Sequence, residues 1–390
     1  MERGLNSDGV KGVAFHRRAD LWHRVAELGR AAREEVSAER ELPDSLPFRS
    51  WLYPAKGGGR TIPIFKVLLS NVCNGHCLYC ANRGGRDCPR YSLKPEEMAR
   101  AFLQALQAGL VEGIFLSSSI VDDPTRTMER LVATAEIIRH RYGFRGYLHL
   151  KIMPGAEDAV IERAVELADR VSINLEAPGR ERLRRICPEK DFDGIIGHMR
   201  KMGQLIRRGK GRAKAQTTQF VLGASGESDR EFLHLMPLLY RDLGLRRCYF
   251  EAFRPVPGTP LEDRPAEDPL RQRRLYQASF LIRDYGFSPE ELPVDERGNL
   301  LRDVDPKLAW AMGHPEFFPV EINRAEPEEL LRVPGFGPRT VSKILSLRSK
   351  GRIRWDDLKG LRIQLRRAAP FILADGKSHD LSSTQVHRPR

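Results

Sequence analysis

Apolar and polar positions alternate in a regular order along the central part of the chain. Short, mostly apolar runs predict strands at residues 64–69, 113–116, 147–153, 171–175, 216–222 and 248–253. Segments of helical period separate these runs, and the clearest lie at 95–110 and 127–140. Apolar strands that alternate with helices form parallel sheets with both faces covered. The pattern therefore predicts six β/α repeats, in a doubly wound sheet or in a full or partial barrel.

Residues at the carboxyl ends of these strands are the first candidates for chemistry. In parallel sheets and in barrels, ligands bind at that edge. The corresponding stretches are residues 71–80, 117–119, 153–154, 176, 223–227 and 254–260.

The chain has a different character on either side of the repeats. Residues 1–60 form a lead-in with an arginine-rich amphipathic helix, and the repeats are assigned to residues 61–262. Residues 263–319 are predicted to be a helical linker region, and 320–374 a compact basic module of helices. Residues 375–390 are rich in Ser, His and Arg and are predicted to be disordered.

Composition narrows the functional classes only in part. Of the 390 residues, 41% are hydrophobic, which is enough for a sizeable core. The apolar runs are far shorter than the roughly 20 residues of a membrane-crossing helix, and the N-terminus lacks the apolar region of a secretory signal. We therefore expect a cytoplasmic protein without a membrane partner, whose thiols stay reduced. The net charge of +13 favours a polyanionic partner.

Half of the six cysteines lie in one short stretch. Cys73, Cys77 and Cys80 form a CxxxCxxC motif directly after the first predicted strand. Thiolates at this spacing can converge on one centre, and ligation by cysteine alone favours zinc or an iron–sulfur cluster. Structural zinc takes a closed set of four ligands, whereas a [4Fe–4S] cluster held by three thiolates keeps one iron open. Three cysteines rather than four therefore favour the cluster.

Two alternatives stay open for this motif. Zinc would need a fourth ligand, for which His76 and Cys88 are near enough in the chain. A redox-active CxxC pair is the second alternative, although it leaves one cysteine of the motif without a role. The separate Cys187 and Cys248 are predicted to be core residues.

The CxxxCxxC motif with an aromatic residue, Tyr79, before its third cysteine resembles the motif of the radical S-adenosylmethionine (SAM) superfamily. The resemblance extends over roughly residues 65–260 and implies a partial (β/α)6 barrel with a [4Fe–4S] cluster and SAM as cofactors. It implies that the three cysteines hold the cluster and that the open iron binds the amino and carboxylate groups of SAM. An electron donor such as flavodoxin or ferredoxin then reduces the cluster, and SAM is cleaved to methionine and a 5′-deoxyadenosyl radical.

Other positions are assigned by the same resemblance. The second strand of the family ends in a GGE-like turn for the SAM amino group, whereas this chain has three serines and no acid. The fourth strand ends in polar residues near the SAM ribose or carboxylate, a place taken here by Asn174 and Glu176 on one face of the strand. The GxIxGxxE pattern near the adenine is matched in part by Gly223 and Glu227. The cofactor-binding candidates are Tyr79, Ser117, Ser118, Ser119, Asn174, Glu176 and Gly223.

Residues 322–351 resemble a helix-hairpin-helix DNA-binding motif. Two short helices, each with a proline in its first turn, flank the sequence PGFG at 334–337. The glycines allow a tight turn that presents backbone amides, and the second helix directs its positive N-terminus at a phosphate. Residues 320–370 hold 12 Lys and Arg against 6 Asp and Glu. A helical hairpin that binds nothing, or that docks another protein, is the alternative. The candidate contacts are Gly335, Phe336, Gly337, Arg339, Thr340 and Lys343.

The cluster motif and the hairpin together resemble a group of radical SAM proteins assigned to DNA modification or repair. This resemblance covers roughly residues 61–373 and implies a nucleic-acid partner, with DNA favoured over RNA. It also implies a protein partner that is similar to uracil-DNA glycosylases. Two rivals remain: a tRNA-modifying radical SAM enzyme, because phosphate contacts carry no trace of 2′-hydroxyl discrimination, and a zinc-stabilised DNA-binding adaptor without catalysis.

Overall fold

The computed structural model describes residues 20–33, 50–57, 60–361 and 363–378. Residues 379–390 of the predicted disordered tail lie outside the described residues, as do 1–19 and 34–49 of the lead-in. The chain divides into two compact units. The first unit comprises Met1–Glu227 and Leu238–Asp268, and the second comprises Ser228–Pro237 and Pro269–Arg390.

A seven-stranded sheet forms the centre of the first unit. Its strands lie side by side in chain order: β1 (Leu52–Gly57), β2 (Arg60–Leu68), β3 (Gly113–Ser117), β4 (Tyr147–Lys151), β5 (Arg170–Ser172), β6 (Ala215–Leu222) and β7 (Leu245–Ala252). β1 pairs antiparallel with β2, and all further pairs are parallel. Six parallel strands in chain order confirm the predicted α/β fold of six repeats, which matches a partial barrel.

Helices connect each strand of the parallel set to the next. They are α2 (Pro95–Gln107), α3 (Pro124–Glu136), α4 (Asp158–Leu167), α5 (Arg180–Ile186), α6 (Phe192–Arg207) and α7 (Asp229–Pro237), the last of which groups with the second unit. α3 begins where the Asp123 side chain accepts hydrogen bonds from the amides of Thr125 and Arg126, which satisfies two of the free donors of its first turn. Two π-helical turns, Ile137–Arg141 and Leu238–Asp242, follow α3 and α7.

The described part of the lead-in packs against the edge of this sheet. It contains α1 (Leu21–Arg33) and β1, a strand that the apolar pattern did not predict. A Cβ atom at Gly29 would lie 2.6 Å from the carbonyl oxygen of Ser50, so this close approach requires glycine. The Arg24 guanidinium joins α1 to Glu97 of α2 at 2.7 Å. The lead-in is therefore part of the first unit.

The second unit is mainly helical. Besides α7 it contains α8 (Pro269–Asp284), α9 (Pro306–Gly313), α10 (Pro327–Arg332), α11 (Pro338–Arg348), α12 (Trp355–Lys359) and α13 (Leu365–Ala368), together with the parallel pair β8 (Val320–Glu321) and β9 (Ile372–Leu373). Short 3-10 helices lie at Pro289–Glu291, Pro315–Phe317 and Ala369–Phe371. α10 and α11 pack around a small core that includes Phe336. Among the helices that the structure describes, none combines the length and the apolar character that a membrane crossing requires.

Candidate active site

A cavity of about 720 Å³ lies at the carboxyl ends of the parallel strands of the first unit. It brings together most of the site residues predicted for this unit. Ser117 is fully buried and lies outside the lining, and so does Gly223, whose amide donates to Glu227 at 2.6 Å. Their assignment to the cofactor stays a prediction. The predicted residues that line the cavity are Cys73, Cys77, Tyr79, Cys80, Ser118, Ser119, Asn174 and Glu176.

A buried arginine organises the cysteine loop, residues 71–90, from within. The side chain of Arg90 is 6% exposed and donates hydrogen bonds to backbone carbonyls of the described chain. Its donor-to-acceptor distances are 2.6–3.0 Å, to the carbonyls of Asn71, Asn82, Arg83 and Arg86. Because carbonyls in a loop have no ladder partner, one planar guanidinium that bonds four of them holds the loop in a single shape.

A second segment, which we call the clamp loop (residues 186–190), holds the same loop from the side. The amide of Leu78 donates to the carbonyl of Ile186 at 2.8 Å. The Glu189 carboxylate accepts from the backbone amide of His76 at 2.8 Å and lies 2.6 Å from His76 Nδ1. The short connection between α5 and α6 therefore fixes two positions between the first and third cysteines.

The thiols of the cysteine loop lie in unequal surroundings. Burial raises the pKa of Cys73. A hydrogen bond with the Cys187 thiol lowers the pKa of Cys77 to about 7, against the effect of burial. Cys187 is 1% exposed, as predicted for a core residue, but it also borders the cavity and contacts Cys77. Cys77 is therefore more easily deprotonated for metal ligation than Cys73.

Glu176 is the carboxylate at the centre of the cavity wall. It adopts a left-handed backbone conformation (φ 65°), which is uncommon for a residue with a Cβ atom and is often found at functional sites. Its side chain is buried, and Lys190 Nζ of the clamp loop donates to Oε1 at 2.7 Å. The other oxygen, Oε2, is buried without a hydrogen-bond partner among the described residues. A buried acceptor in this state fits a donor group of a bound ligand.

The charges around Glu176 favour its ionised form. Burial alone would raise its pKa, but the Lys190 and Lys151 ammonium groups, together with hydrogen bonds to the carboxylate, more than offset this, so the pKa of Glu176 lies below its usual value. Burial likewise opposes the charge of Lys190, yet Glu176 holds the pKa of this ammonium well above its usual range. The Tyr79 hydroxyl lies beside the same carboxylate, and burial raises the pKa of Tyr79, so the phenol remains a hydrogen-bond donor.

The candidate fourth ligands for zinc are engaged elsewhere. His76 binds Glu189, and the Cys88 thiol donates to the carbonyl of Ala81 at 3.9 Å. Within the described part of the chain, no group of three or more His, Cys, Asp or Glu side chains converges closely enough to hold one metal ion. A cubane cluster places each thiolate on a different iron, so its ligands stand further apart than those of a single ion. The donor set fits a cluster better than a four-ligand zinc site.

Several residues of the site were not predicted from the sequence. Arg90, Glu189 and Lys190 belong to no motif, and their contacts join segments that are distant in the chain. Lys66 did carry a signal, because a lysine stands within an otherwise apolar strand. Its side chain is 3% exposed, borders the cavity and donates to the carbonyl of Ala32 at the end of α1.

The predicted nucleic-acid contacts all lie around the turn between α10 and α11 of the second unit. Gly335 adopts a positive φ of 88°, as a tight turn requires, and Phe336 is buried. The Phe336 carbonyl accepts from the buried Nζ of Lys307 at 2.6 Å, and burial lowers the pKa of this lysine to about 7. The remaining predicted contacts are Gly337 at the start of α11, the exposed Arg339 and Lys343, and the half-buried Thr340.

The comparison with family models adds an independent observation. Residues 67–239, which include the cysteine loop and strands β3 to β6, match the model of the Radical SAM superfamily. Residues 67–239 therefore form a radical SAM domain. Members of this superfamily are enzymes that use a [4Fe–4S] cluster together with SAM.

Solved structures with a similar fold include methylornithine synthase (PylB) and HydG, a maturase of the [FeFe]-hydrogenase. PylB is 17% identical with a TM-score of 0.44 over 55% of this chain and 60% of that one. HydG is 15% identical with a TM-score of 0.44 over 55% of this chain and 48% of that one, so the matches span only about half the length of these proteins. A radical SAM methyltransferase from Sphaerobacter thermophilus is 16% identical with a TM-score of 0.43 over 66% and 85%. The comparison with curated proteins found no match.

Proposed function

We propose that the protein holds a [4Fe–4S] cluster with Cys73, Cys77 and Cys80, binds SAM beside it, and modifies or repairs nucleic acid, with DNA as the favoured substrate. The observation that carries the first part is the cavity at the carboxyl ends of the strands. Three thiols of one short loop border this cavity together with the buried carboxylate of Glu176.

Each group of the site has a separate task in this proposal. The cluster and SAM, when bound, supply the radical chemistry, and a low-potential donor such as flavodoxin or ferredoxin supplies the electron. Glu176 accepts hydrogen bonds from donor groups of SAM through its unpartnered Oε2, while Lys190 keeps the carboxylate ionised. Asn174, Ser118 and Ser119 offer further polar contacts in the same cavity.

Iron analysis of an anaerobically purified protein tests the cluster assignment. We expect about four irons per chain and release of 5′-deoxyadenosine when SAM and a reductant are added. Cys77→Ala is expected to lose both. Cys88→Ala is the matched control, because it removes the thiol that would complete a zinc site but takes no part in the proposed cluster. If the purified protein contains zinc and no iron, and both variants lose this zinc, the result would support the non-catalytic adaptor instead.

The nucleic-acid part of the proposal rests on the second unit. Two exposed cations, Arg339 and Lys343, lie in the first two turns of α11, directly after the turn between α10 and α11 and close to backbone that the helix dipole makes positive. The sequence from 320 to 370 has a net charge of +6, from 12 basic and 6 acidic residues. A positive, glycine-rich turn of this kind suits phosphate oxygens, which position a protein on nucleic acid without reading its sequence.

Fluorescence anisotropy with labelled DNA and RNA duplexes tests this part separately. Arg339→Glu and Lys343→Glu are expected to weaken binding and to lower the salt dependence by about one counterion per lost phosphate contact. Lys359→Glu is the matched control, because Lys359 is an exposed lysine of the same unit that pairs with Asp356. Equal affinity in all three variants would refute the proposed interface. A preference for RNA would favour the tRNA-modifying alternative.

A further inference from the structure

Lys307 of α9 is a buried lysine to which no carboxylate is paired within the described part of the chain. It is 7% exposed, and its Nζ donates to the backbone carbonyl of Phe336 at 2.6 Å. The same Nζ lies 4.7 Å from the centre of the Tyr285 ring. A buried ammonium is costly unless other groups replace its lost hydration. One carbonyl and one aromatic ring leave this positive charge only partly compensated.

The carboxylates on the neighbouring segments of the second unit are paired with arginines instead. Arg332 of α10, whose charge acts against that of Lys307, pairs with Glu291 at 2.6 Å. Asp305, which lies two residues before Lys307, pairs with Arg367. Both carboxylates are therefore already neutralised, and the ammonium of Lys307 has room for an anion from outside the chain.

The carbonyl that Lys307 holds belongs to the turn with the predicted phosphate contacts. The peptide bond between Phe336 and Gly337 is trans, so its carbonyl and its amide point in opposite directions. Lys307 thus keeps the carbonyl toward α9 and directs the Gly337 amide away from α9. Gly337 is the N-cap of α11, and the first amides of a helix have no partner inside the helix. A Cβ atom at Gly337 would lie 2.9 Å from the Tyr285 hydroxyl, so the turn packs closely on this tyrosine.

We infer that Lys307 is a positioning residue whose buried charge strengthens the binding of a nucleic-acid phosphate at the Gly337 amide. This inference rests on the proposed function, because it requires the turn between α10 and α11 to bind phosphate. Hydrogen bonds in a chain polarise one another. An ammonium that bonds the Phe336 carbonyl therefore makes the amide of the same peptide a stronger donor, and the phosphate supplies the negative charge that Lys307 lacks.

The charge state of Lys307 makes this role depend on pH. Burial, together with the charge of Arg332, lowers the pKa of Lys307 to about 7 in the free protein. A phosphate at the turn favours the charged form. Binding is therefore tighter below this pKa and weakens as the pH rises through it, because the ammonium loses its proton. The Tyr285 hydroxyl does not titrate in this range, since burial raises its pKa.

Fluorescence anisotropy of the full chain with a labelled DNA duplex, at pH 6 and pH 8 and constant ionic strength, tests the inference. Lys307→Met keeps the volume but removes the charge, so we expect an affinity at pH 6 that is about threefold to tenfold lower and that falls less with pH than in the wild type. Lys307→Arg stays charged at both pH values and should bind like the wild type at pH 6 and more tightly than the wild type at pH 8. Lys359→Met is the matched control, because it removes an exposed positive charge of the same unit and should keep the wild-type pH profile.

The possible results separate the inference from the proposed function. If Arg339→Glu weakens binding but Lys307→Met matches the wild type in affinity and pH profile, the role of Lys307 is overturned and the proposed function stands. A loss of affinity in Lys307→Met that is equal at pH 6 and pH 8 indicates a purely structural role and also overturns the inference. A wild-type protein that does not bind the duplex overturns both. If Lys307→Met does not fold, Lys307→Arg decides, and a pH profile identical to that of the wild type refutes the inference.

Discussion

The ion pair between Glu176 and Lys190 allows a direct test of how the clamp loop stabilises the candidate active site. The Glu176 side chain is 3% exposed, that of Lys190 is 18% exposed, and Nζ and Oε1 are 2.7 Å apart. Lys190→Met keeps the volume of the side chain but removes the ammonium that pairs directly with this buried carboxylate. The substitution therefore isolates the electrostatic contribution of the clamp loop to the stability of the first unit.

The expected cost follows from the burial of the pair. Removing one partner of a buried ion pair costs about 3–5 kcal/mol, because the remaining charge stays desolvated. Since Lys190 keeps some contact with solvent, we expect a loss near the lower end, about 3 kcal/mol. Adding Glu176→Gln removes the stranded charge, so the double variant should recover part of the loss, with a coupling free energy of about 2 kcal/mol.

Urea unfolding that is monitored by hydrogen exchange of peptides from residues 170–222 measures the change in the free energy of unfolding of the first unit alone. Lys201→Met is the matched control, because Lys201 makes ion pairs of similar length, 2.6 and 2.7 Å, with the exposed Asp158 and Glu162. Surface pairs of this kind contribute about 0–1 kcal/mol. A cost in Lys190→Met no larger than that of the control, or additive effects in the double variant, would refute the reasoning.

The remaining predictions concern pH, the cysteine loop and helix packing. The pKa of Glu176 is lower in the folded state than in the unfolded state. Its contribution to the free energy of unfolding is therefore complete above the usual carboxylate pKa of about 4.3 and is lost as the pH falls through the folded-state pKa. Denaturation at pH 7 and pH 3 should show this loss in the wild type and its absence in Glu176→Gln. Arg90→Met should lower the amount of iron bound after anaerobic reconstitution several-fold, because four loop carbonyls lose their hydrogen-bond donor. Arg126→Met, which changes an exposed arginine, should leave the iron content unchanged. Equal iron content in the two variants would contradict the role of Arg90. Gly203→Ala should destabilise the first unit, because the new Cβ would lie 2.4 Å from a backbone carbonyl oxygen. Gly197→Ala on the same helix meets no described atom within 4 Å and should stabilise the unit by about 0.5–1 kcal/mol. Thermal unfolding that ranks the two variants the other way would refute the packing argument.

The alternation of apolar runs and helical segments was sufficient to predict the parallel sheet. All six predicted strands are present, because buried parallel strands are apolar along their length and need no partner-specific signal. β1 was missed for the opposite reason. Its sequence, LYPAKG, contains a proline and a glycine, and its pairing with β2 depends on the position of that edge rather than on local preference.

The sequence by itself determined the chemical class of the site, because three thiols within eight residues share one loop whatever the rest of the chain does. Only the tertiary structure decided what surrounds them. Arg90 bonds nearby carbonyls inside the loop, while Cys187, Glu189 and Lys190 reach it from a connection more than 100 residues later in the chain. Such contacts have no period and no spacing along the sequence, since they arise when the closing of parallel strands brings their carboxyl ends to one edge.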